Sequence, residues 1–138
     1  MVLALQRATH ATLRARAGRL AGLGLSPSEI NALAWLADGQ VRSVGQLASD
    51  TATLPTTLTS LLDRLARRGL VTRQLDPADR RSFLVALTEE GRAAAGAARA
   101  AMTELERETL AAIPAADLAG FRAVVHALAQ ARPERAQS

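Results

Sequence analysis

Residues 55–87, PTTLTSLLDRLARRGLVTRQLDPADRRSFLVAL, decide the fold, because the hydrophobic period changes inside them. Leu58, Leu61, Leu62 and Leu65 recur at spacings of three and four, which predicts one amphipathic helix from Pro55 to about Arg68. Pro55 suits the first helical position, Arg67 and Arg68 complement the dipole of the last turn, and Gly69 is placed to end it. Leu54 is a weak N-cap, a role that Thr53 can take instead. The runs Leu70–Leu75 and Ser82–Leu87 favour β structure and flank Asp76-Pro77-Ala78-Asp79-Arg80-Arg81. Asp-Pro followed by small and polar residues is turn chemistry, so a β-hairpin with a charged tip follows the helix.

Upstream, Ser43 and Gln46 form a capping-box pair that opens a short helix from Val44 to about Asp50. Before it, Ser26, Pro27 and Glu29 make a full helix start, with Leu25 and Ile30 placed for a hydrophobic staple. That helix runs to about Asp38, with Ile30, Leu33, Ala34 and Ala37 inward and Gly39 closing it. Residues 3–21 read as an amphipathic first helix with Leu5, Ala8, Thr12, Ala15 and Leu20 on its apolar face, ended by Gly22 and Gly24. Downstream, Thr88-Glu89-Glu90 opens an Ala-rich helix reaching about Ala112. Pro114 breaks it, and a last amphipathic helix, Ala116 to Ala131, carries Leu118, Phe121, Val124, Val125 and Leu128. Pro133 onward reads as a frayed polar tail. A short helix, a turn, a second helix and a two-stranded wing make a winged helix-turn-helix inside a mainly α, six-helix chain.

Composition narrows the function. The 138 residues suit one domain, and with aromatics at only 2% the core must come from Leu, Val and Ala. The absence of Cys excludes disulfides, zinc-thiolate sites and thiol redox sensing. No apolar run approaches the roughly 20 residues of a membrane span, and Met1 to Arg7 lacks the marks of a secretory signal, so a cytoplasmic protein is expected. With two widely separated His, no Tyr, no phosphate loop and no metal-ligand spacing, no catalytic constellation or cofactor is expected. The net charge of +4 says little, but its distribution says more. Six arginines lie between Arg64 and Arg81 against Asp76 and Asp79, the footprint of a nucleic-acid contact.

A helix of this size fits the major groove, and the hairpin tip reaches the neighbouring minor groove or backbone. The outward face carries Thr56, Thr57, Thr59, Ser60 and Arg64, whose short hydroxyls permit close approach to base edges and phosphates. Such residues make a poor solvent-exposed helix face on propensity alone. Neighbouring hairpin residues point oppositely, so Arg80 and Arg81 have different roles, one toward Asp79 or phosphate and the other into the minor groove. The candidate contact set is Ser43, Pro55, Thr56, Thr57, Thr59, Ser60, Arg64, Arg73, Asp79, Arg80 and Arg81.

Ser43-Val44-Gly45-Gln46-Leu47-Ala48, Leu61-Leu62-Asp63-Arg64-Leu65 with Arg68-Gly69-Leu70-Val71, the wing Asp76-Pro77-Ala78-Asp79-Arg80-Arg81, and Leu87-Thr88-Glu89-Glu90-Gly91 together resemble the MarR family of bacterial regulators. The resemblance implies an intertwined homodimer on a palindromic double-stranded-DNA operator, most often as a repressor. It also implies that Arg81 is the minor-groove arginine and that Asp79 helps orient the wing arginines. Position 60, commonly Arg in such proteins, is Ser here, so base preference at that step should differ. Segments 1–24 and 88–132 are then the dimerisation helices, and 25–87 the DNA-binding lobe.

Two further expectations follow. The small-residue face Ala94, Ala97, Ala98, Ala101, Met102 and Leu105 suits tight helix contacts between two copies. Family members sense small aromatic or phenolic molecules beside the dimer helices, which makes His10, Arg14 and Trp35 candidate ligand-binding residues. The alternative function is a winged-helix module for protein–protein contact, since fold alone does not fix function.

Overall fold

The computed structural model describes residues 1–131. The tail expected from Pro133 onward, and the last position of the 88–132 segment, lie outside the described residues. The chain forms two compact units, Met1–Leu105 and a second from Glu106 on.

In the first unit, α1 spans Val2–Arg19, α2 Pro27–Leu36, α3 Val44–Thr51 and α4 Pro55–Arg67. The strands are β1 (Arg42–Ser43), β2 (Val71–Leu75) and β3 (Phe83–Leu87), and α5 (Glu89–Leu110) begins in this unit. Both expected capping boxes are present. Ser26 Oγ accepts from the Glu29 N–H at 3.2 Å while Glu29 Oε2 accepts from the Ser26 N–H at 2.8 Å. Ser43 and Gln46 reciprocate at 3.1 and 3.0 Å. Four boundaries differ from the sequence reading. α1 stops at Arg19 rather than at Gly22, because a 3-10 turn, Ala21–Leu23, intervenes and Gly24 (φ 61) ends that turn. α2 stops at Leu36, with Gly39 at φ 77 beyond it. α4 has no side-chain cap; the Thr53 hydroxyl instead donates to the Thr51 carbonyl. The last two helices are each shorter than expected, ending at Leu110 and Ala129.

The wing carries a strand that periodicity did not reveal. β1 pairs antiparallel with β3 through Arg42↔Val85 and Ser43↔Leu84, giving a three-stranded sheet in the order β1-β3-β2. Two residues are too short to show alternation. The β2–β3 register, Val71↔Leu87 to Leu75↔Phe83, is that of the expected hairpin.

The main core gathers Leu33, Leu36, Leu47, Leu58, Leu61, Leu62, Leu65, Val71 and Val85 around α4, which buries its whole leucine face. Burying each of these side chains stabilises by roughly 1.5–3 kcal/mol. A second cluster joins Leu20, Ile30, Ala34 and Ala98, with Ala101 and Met102 against it. This corrects the reading of the small-residue face on α5. Ala94 and Ala98 are buried within the chain's own cores, where the absence of a larger side chain lets α5 approach closely; of the four alanines on that face only Ala97 is exposed. α1 buries no residue between Val2 and Arg19; of its predicted apolar stripe only Leu20, just past the helix, is buried, and Leu5 is half-covered.

In the second unit, α6 (Ala115–Ala129) starts from Pro114 and buries no residue. Leu118, Val125 and Leu128 are half-covered, while Phe121 and Val124 are 57% and 40% exposed. Among the described residues no helix is long and apolar enough to cross a membrane.

Candidate nucleic-acid interface

Burying Leu58, Leu61, Leu62 and Leu65 inward turns the opposite face of α4 to solvent, and Pro55, Thr56, Thr57, Thr59, Ser60 and Arg64 are all exposed there. The Thr59 hydroxyl donates to the Pro55 carbonyl at 2.9 Å and that of Ser60 to the Thr56 carbonyl at 3.4 Å. This back-bonding lets hydroxyl residues persist mid-helix, and it leaves their oxygen lone pairs free to accept. Leu54 gives no side-chain bond to the first N–H groups of α4, so that end of the helix keeps its donors for an outside acceptor.

The wing tip is shaped by its two aspartates. Asp76 Oδ1 accepts from the Ala78 N–H at 2.8 Å and Asp79 Oδ1 from the Arg81 N–H at 3.0 Å, two successive Asx turns. Backbone bonds from Asp79 to Asp76 and from Ser82 to Asp79 close the loop. Asp79 therefore orients Arg81 through its backbone rather than by pairing with a guanidinium. Arg80 and Arg81 are both exposed, and neither guanidinium has a protein partner among the described residues.

Three arginines of the basic stretch are engaged within the protein. Arg64 Nε donates to Glu29 Oε1 at 2.9 Å. Arg68 donates from its two terminal nitrogens to the Leu23 and Gly24 carbonyls at 2.6 and 2.7 Å. Arg73 on β2 pairs with Asp63 on α4 and lies over the Phe83 ring, 4.9 Å from its centroid, tying the wing to the helix. Sequence reasoning missed all three, since partners 10 to 45 residues away along the chain, on other elements, leave no local pattern. Ser43 is half-buried and serves as the N-cap of α3 and as part of β1. Beside it, Arg42 bridges Asp38, at 2.9 and 2.6 Å, and Asp50, at 3.2 Å, fastening α2 to α3.

His10 and Arg14 are exposed on α1, and Trp35 is 44% exposed on α2 instead of filling the core. The residue that sequence reasoning passed over is Arg16. Its Nε is buried without a hydrogen-bond partner, and burial lowers its pKa.

Two carboxylates carry a pH dependence. Burial alone would push Glu29 up, but the Ser26 N–H, the Arg64 guanidinium and the Ser26 hydroxyl outweigh it and hold the carboxyl below its ordinary value. Asp38 is held far below the carboxylate range, chiefly by Arg42 and then by the Gln40 N–H. Groups whose folded pKa is depressed stabilise the fold above their unfolded pKa and lose that contribution as pH falls. Stability should therefore hold from neutral pH to about pH 5 and decline below about pH 4. Urea midpoints at about pH 6 and about pH 3 check this, and Glu29→Gln should show the smaller drop between them. Equal drops in variant and wild type would remove Glu29 from the account.

Comparison with known proteins places this geometry. A family model described as the MarR family matches residues 23–82. A transcriptional regulator (MarR family) from Rhodococcus sp. RHA1 is 30% identical, covering 91% of this chain and 89% of that one, with a TM-score of 0.78. A probable transcriptional regulator from Pseudomonas aeruginosa is 31% identical over 93% and 96% of the two chains, with a TM-score of 0.76. CouR from Rhodococcus jostii RHA1, solved bound to p-coumaroyl-CoA, is 29% identical over 95% and 92%, with a TM-score of 0.81. No curated protein matches.

Proposed function

The chain belongs to the MarR family of transcriptional regulators, and from that premise we propose that it binds a palindromic double-stranded-DNA operator as a homodimer and represses transcription in the cytoplasm. The observation that carries the reading is the pairing of an exposed hydroxyl face on α4 with a wing tip whose Arg80 and Arg81 have no partner among the described residues. Thr56, Thr57, Thr59 and Ser60 read base edges in the major groove, Pro55 and Ser43 approach the backbone, and Arg81, oriented by Asp79, enters the minor groove beside Arg80. Arg64 and Arg73, each already ion-paired, support the interface by holding the helix and wing in place. Residues 25–87 form the DNA-binding lobe and the helices of 1–24 and 88–132 the dimer. Exposed Val2 and Leu3 on α1 and Phe121 and Val124 on α6 support the dimer as apolar surface suited to a second copy.

Binding to a mixed-sequence duplex across a salt series tests the proposal. Phosphate contacts release counterions, so affinity should fall steeply as salt rises, and a flat response would favour a protein-interaction module instead. Selection from random duplexes should return a palindrome. Thr57→Ala and Ser60→Ala should each change the preferred bases, whereas identical preferences in all three proteins would remove this helix face as the reader.

Release by a small aromatic or phenolic ligand near His10, Arg14 and Trp35 completes the proposal, and the unpaired Arg16 Nε favours an anionic one. CouR, bound to p-coumaroyl-CoA, is the comparison that supports it. Trp35 is the sole tryptophan, so a ligand there should alter its fluorescence as it lowers duplex affinity.

A further inference from the structure

The C-terminal end of α4 holds a second use of basic residues, with donors directed into the protein instead of outward. Arg64, in the last turn of α4, and Arg68, its C-cap residue, lie four residues apart and both reach toward the start of α2. Arg68 reaches across 44 and 45 positions of sequence to the carbonyls of Gly24 and Leu23, at 2.7 and 2.6 Å. Those carbonyls belong to the end of the 3-10 turn that joins α1 to α2, where Gly24 adopts φ 61. Arg64 takes Glu29, in the first turn of α2, at 2.9 Å. Glu29 is buried and is fixed from its other oxygen by the Ser26 N–H at 2.8 Å. The two arginines thus grip the α1–α2 connection on both sides, at the carbonyls before α2 and at the carboxylate inside it.

We infer that Arg68, together with the Glu29–Arg64 pair, positions the DNA-facing helix by tying α4 to the α1–α2 junction. The inference rests on α4 being the reading helix. A planar guanidinium can satisfy two adjacent carbonyl oxygens at once, whereas a lysine ammonium on a flexible stem cannot reproduce that fork. The four-residue spacing adds a second fixed point, so α4 is restrained in tilt as well as in position. A displacement of the junction is then passed to α4 as a rigid element with two attachments, rather than absorbed by a loose loop. Arg68, basic and near the wing, invites assignment as a phosphate contact; its donors are instead directed into the protein.

The experiment has two arms. The first measures hydrogen exchange without DNA at the Leu23 and Gly24 amides, which bond to Leu20 and Ala21 at 3.0 and 3.1 Å. Arg68→Lys should exchange faster there than wild type, and unchanged exchange would overturn the clamp. The second arm measures affinity for a duplex selected by the wild-type chain, across a salt series. Arg68→Lys should bind about tenfold more weakly with its salt slope unchanged, because geometry and not a phosphate contact is lost. Glu29→Gln, which keeps an oxygen for the Ser26 N–H while discharging the pair, should weaken binding in the same direction.

Wild-type affinity in Arg68→Lys, with a shallower salt slope in Arg68→Gln, would make Arg68 a phosphate contact and overturn the inference. A lowered unfolding midpoint with unaltered affinity well below that midpoint would reduce it to a stability contact and overturn it equally. If the wild type itself binds no duplex, the DNA reading fails and positioning for DNA falls with it, while the exchange arm still decides whether the junction is clamped.

Discussion

Gly91→Ala is expected to destabilise the protein by about 3 kcal/mol or more, at the upper end of overpacking effects. Local propensity argues the other way, since Ala in place of Gly within a helix gains about 1 kcal/mol. The tertiary environment overrules it. A Cβ on Gly91 would stand 2.8 Å from the Leu70 carbonyl carbon and 3.3 Å from its Cα, and nearer still to the carbonyl oxygen. These are backbone atoms, and they are pinned. The Leu70 carbonyl accepts from the Thr88 N–H at 3.1 Å, the Thr88 hydroxyl donates to the Gly69 carbonyl at 2.6 Å, and the Gly91 N–H donates back to that hydroxyl at 2.9 Å. Relief of the clash requires the start of α5 to leave the α4–β2 turn, with loss of that network. Chemical denaturation of wild type and variant measures the change; a midpoint equal to or above wild type would show that the turn yields. Gly96, with nothing near a Cβ, is the control that should gain from the same substitution.

The second large effect concerns DNA. Arg81→Ala is expected to weaken operator binding by about 1–3 kcal/mol and to lower the salt slope by about one unit. The fold should be unaffected, because the bond that shapes the tip is made by the Arg81 backbone N–H to Asp79, which alanine preserves. Asp79→Ala removes that acceptor while leaving the arginine charge, and so should weaken binding through disorder of the tip rather than through loss of charge. Titration of a selected duplex by each variant, with dimer mass checked alongside, separates the two. Full affinity in Arg81→Ala with an intact dimer moves the minor-groove role to Arg80 or away from the wing.

Much of the architecture was legible in the residues. Ser26 with Glu29 and Ser43 with Gln46 announced two helix starts, because a capping box is a purely local device completed within four residues. The leucine spacing of α4 and the turn chemistry of 76–81 gave that helix and the wing. The exposed set Thr56, Thr57, Thr59 and Ser60 was likewise legible, since it is the complement of the buried leucines on one helix. Other features could not be read. β1 has two residues and exists only because β3 offers it a free edge. A tryptophan's size favours the core, yet Trp35 is 44% exposed because the buried positions of α2 are taken by smaller residues.

The arginine-rich stretch from Arg64 to Arg81 shows where the division falls. Its composition alone marked a basic surface beside a groove-sized helix, because charge density and helical period are properties of neighbouring residues. Which arginines remain free was decided only by tertiary structure. Arg64, Arg68 and Arg73 find Glu29, the Leu23 and Gly24 carbonyls, and Asp63 with Phe83, all brought close by folding; Arg80 and Arg81 find no partner among the described residues. Gly91 obeys the same rule, since the atom that forbids its side chain belongs to Leu70, in the turn between α4 and β2 that folding brings against the start of α5. Local pattern determines elements and their faces, whereas a partner's identity depends on distances that exist only once the core has packed.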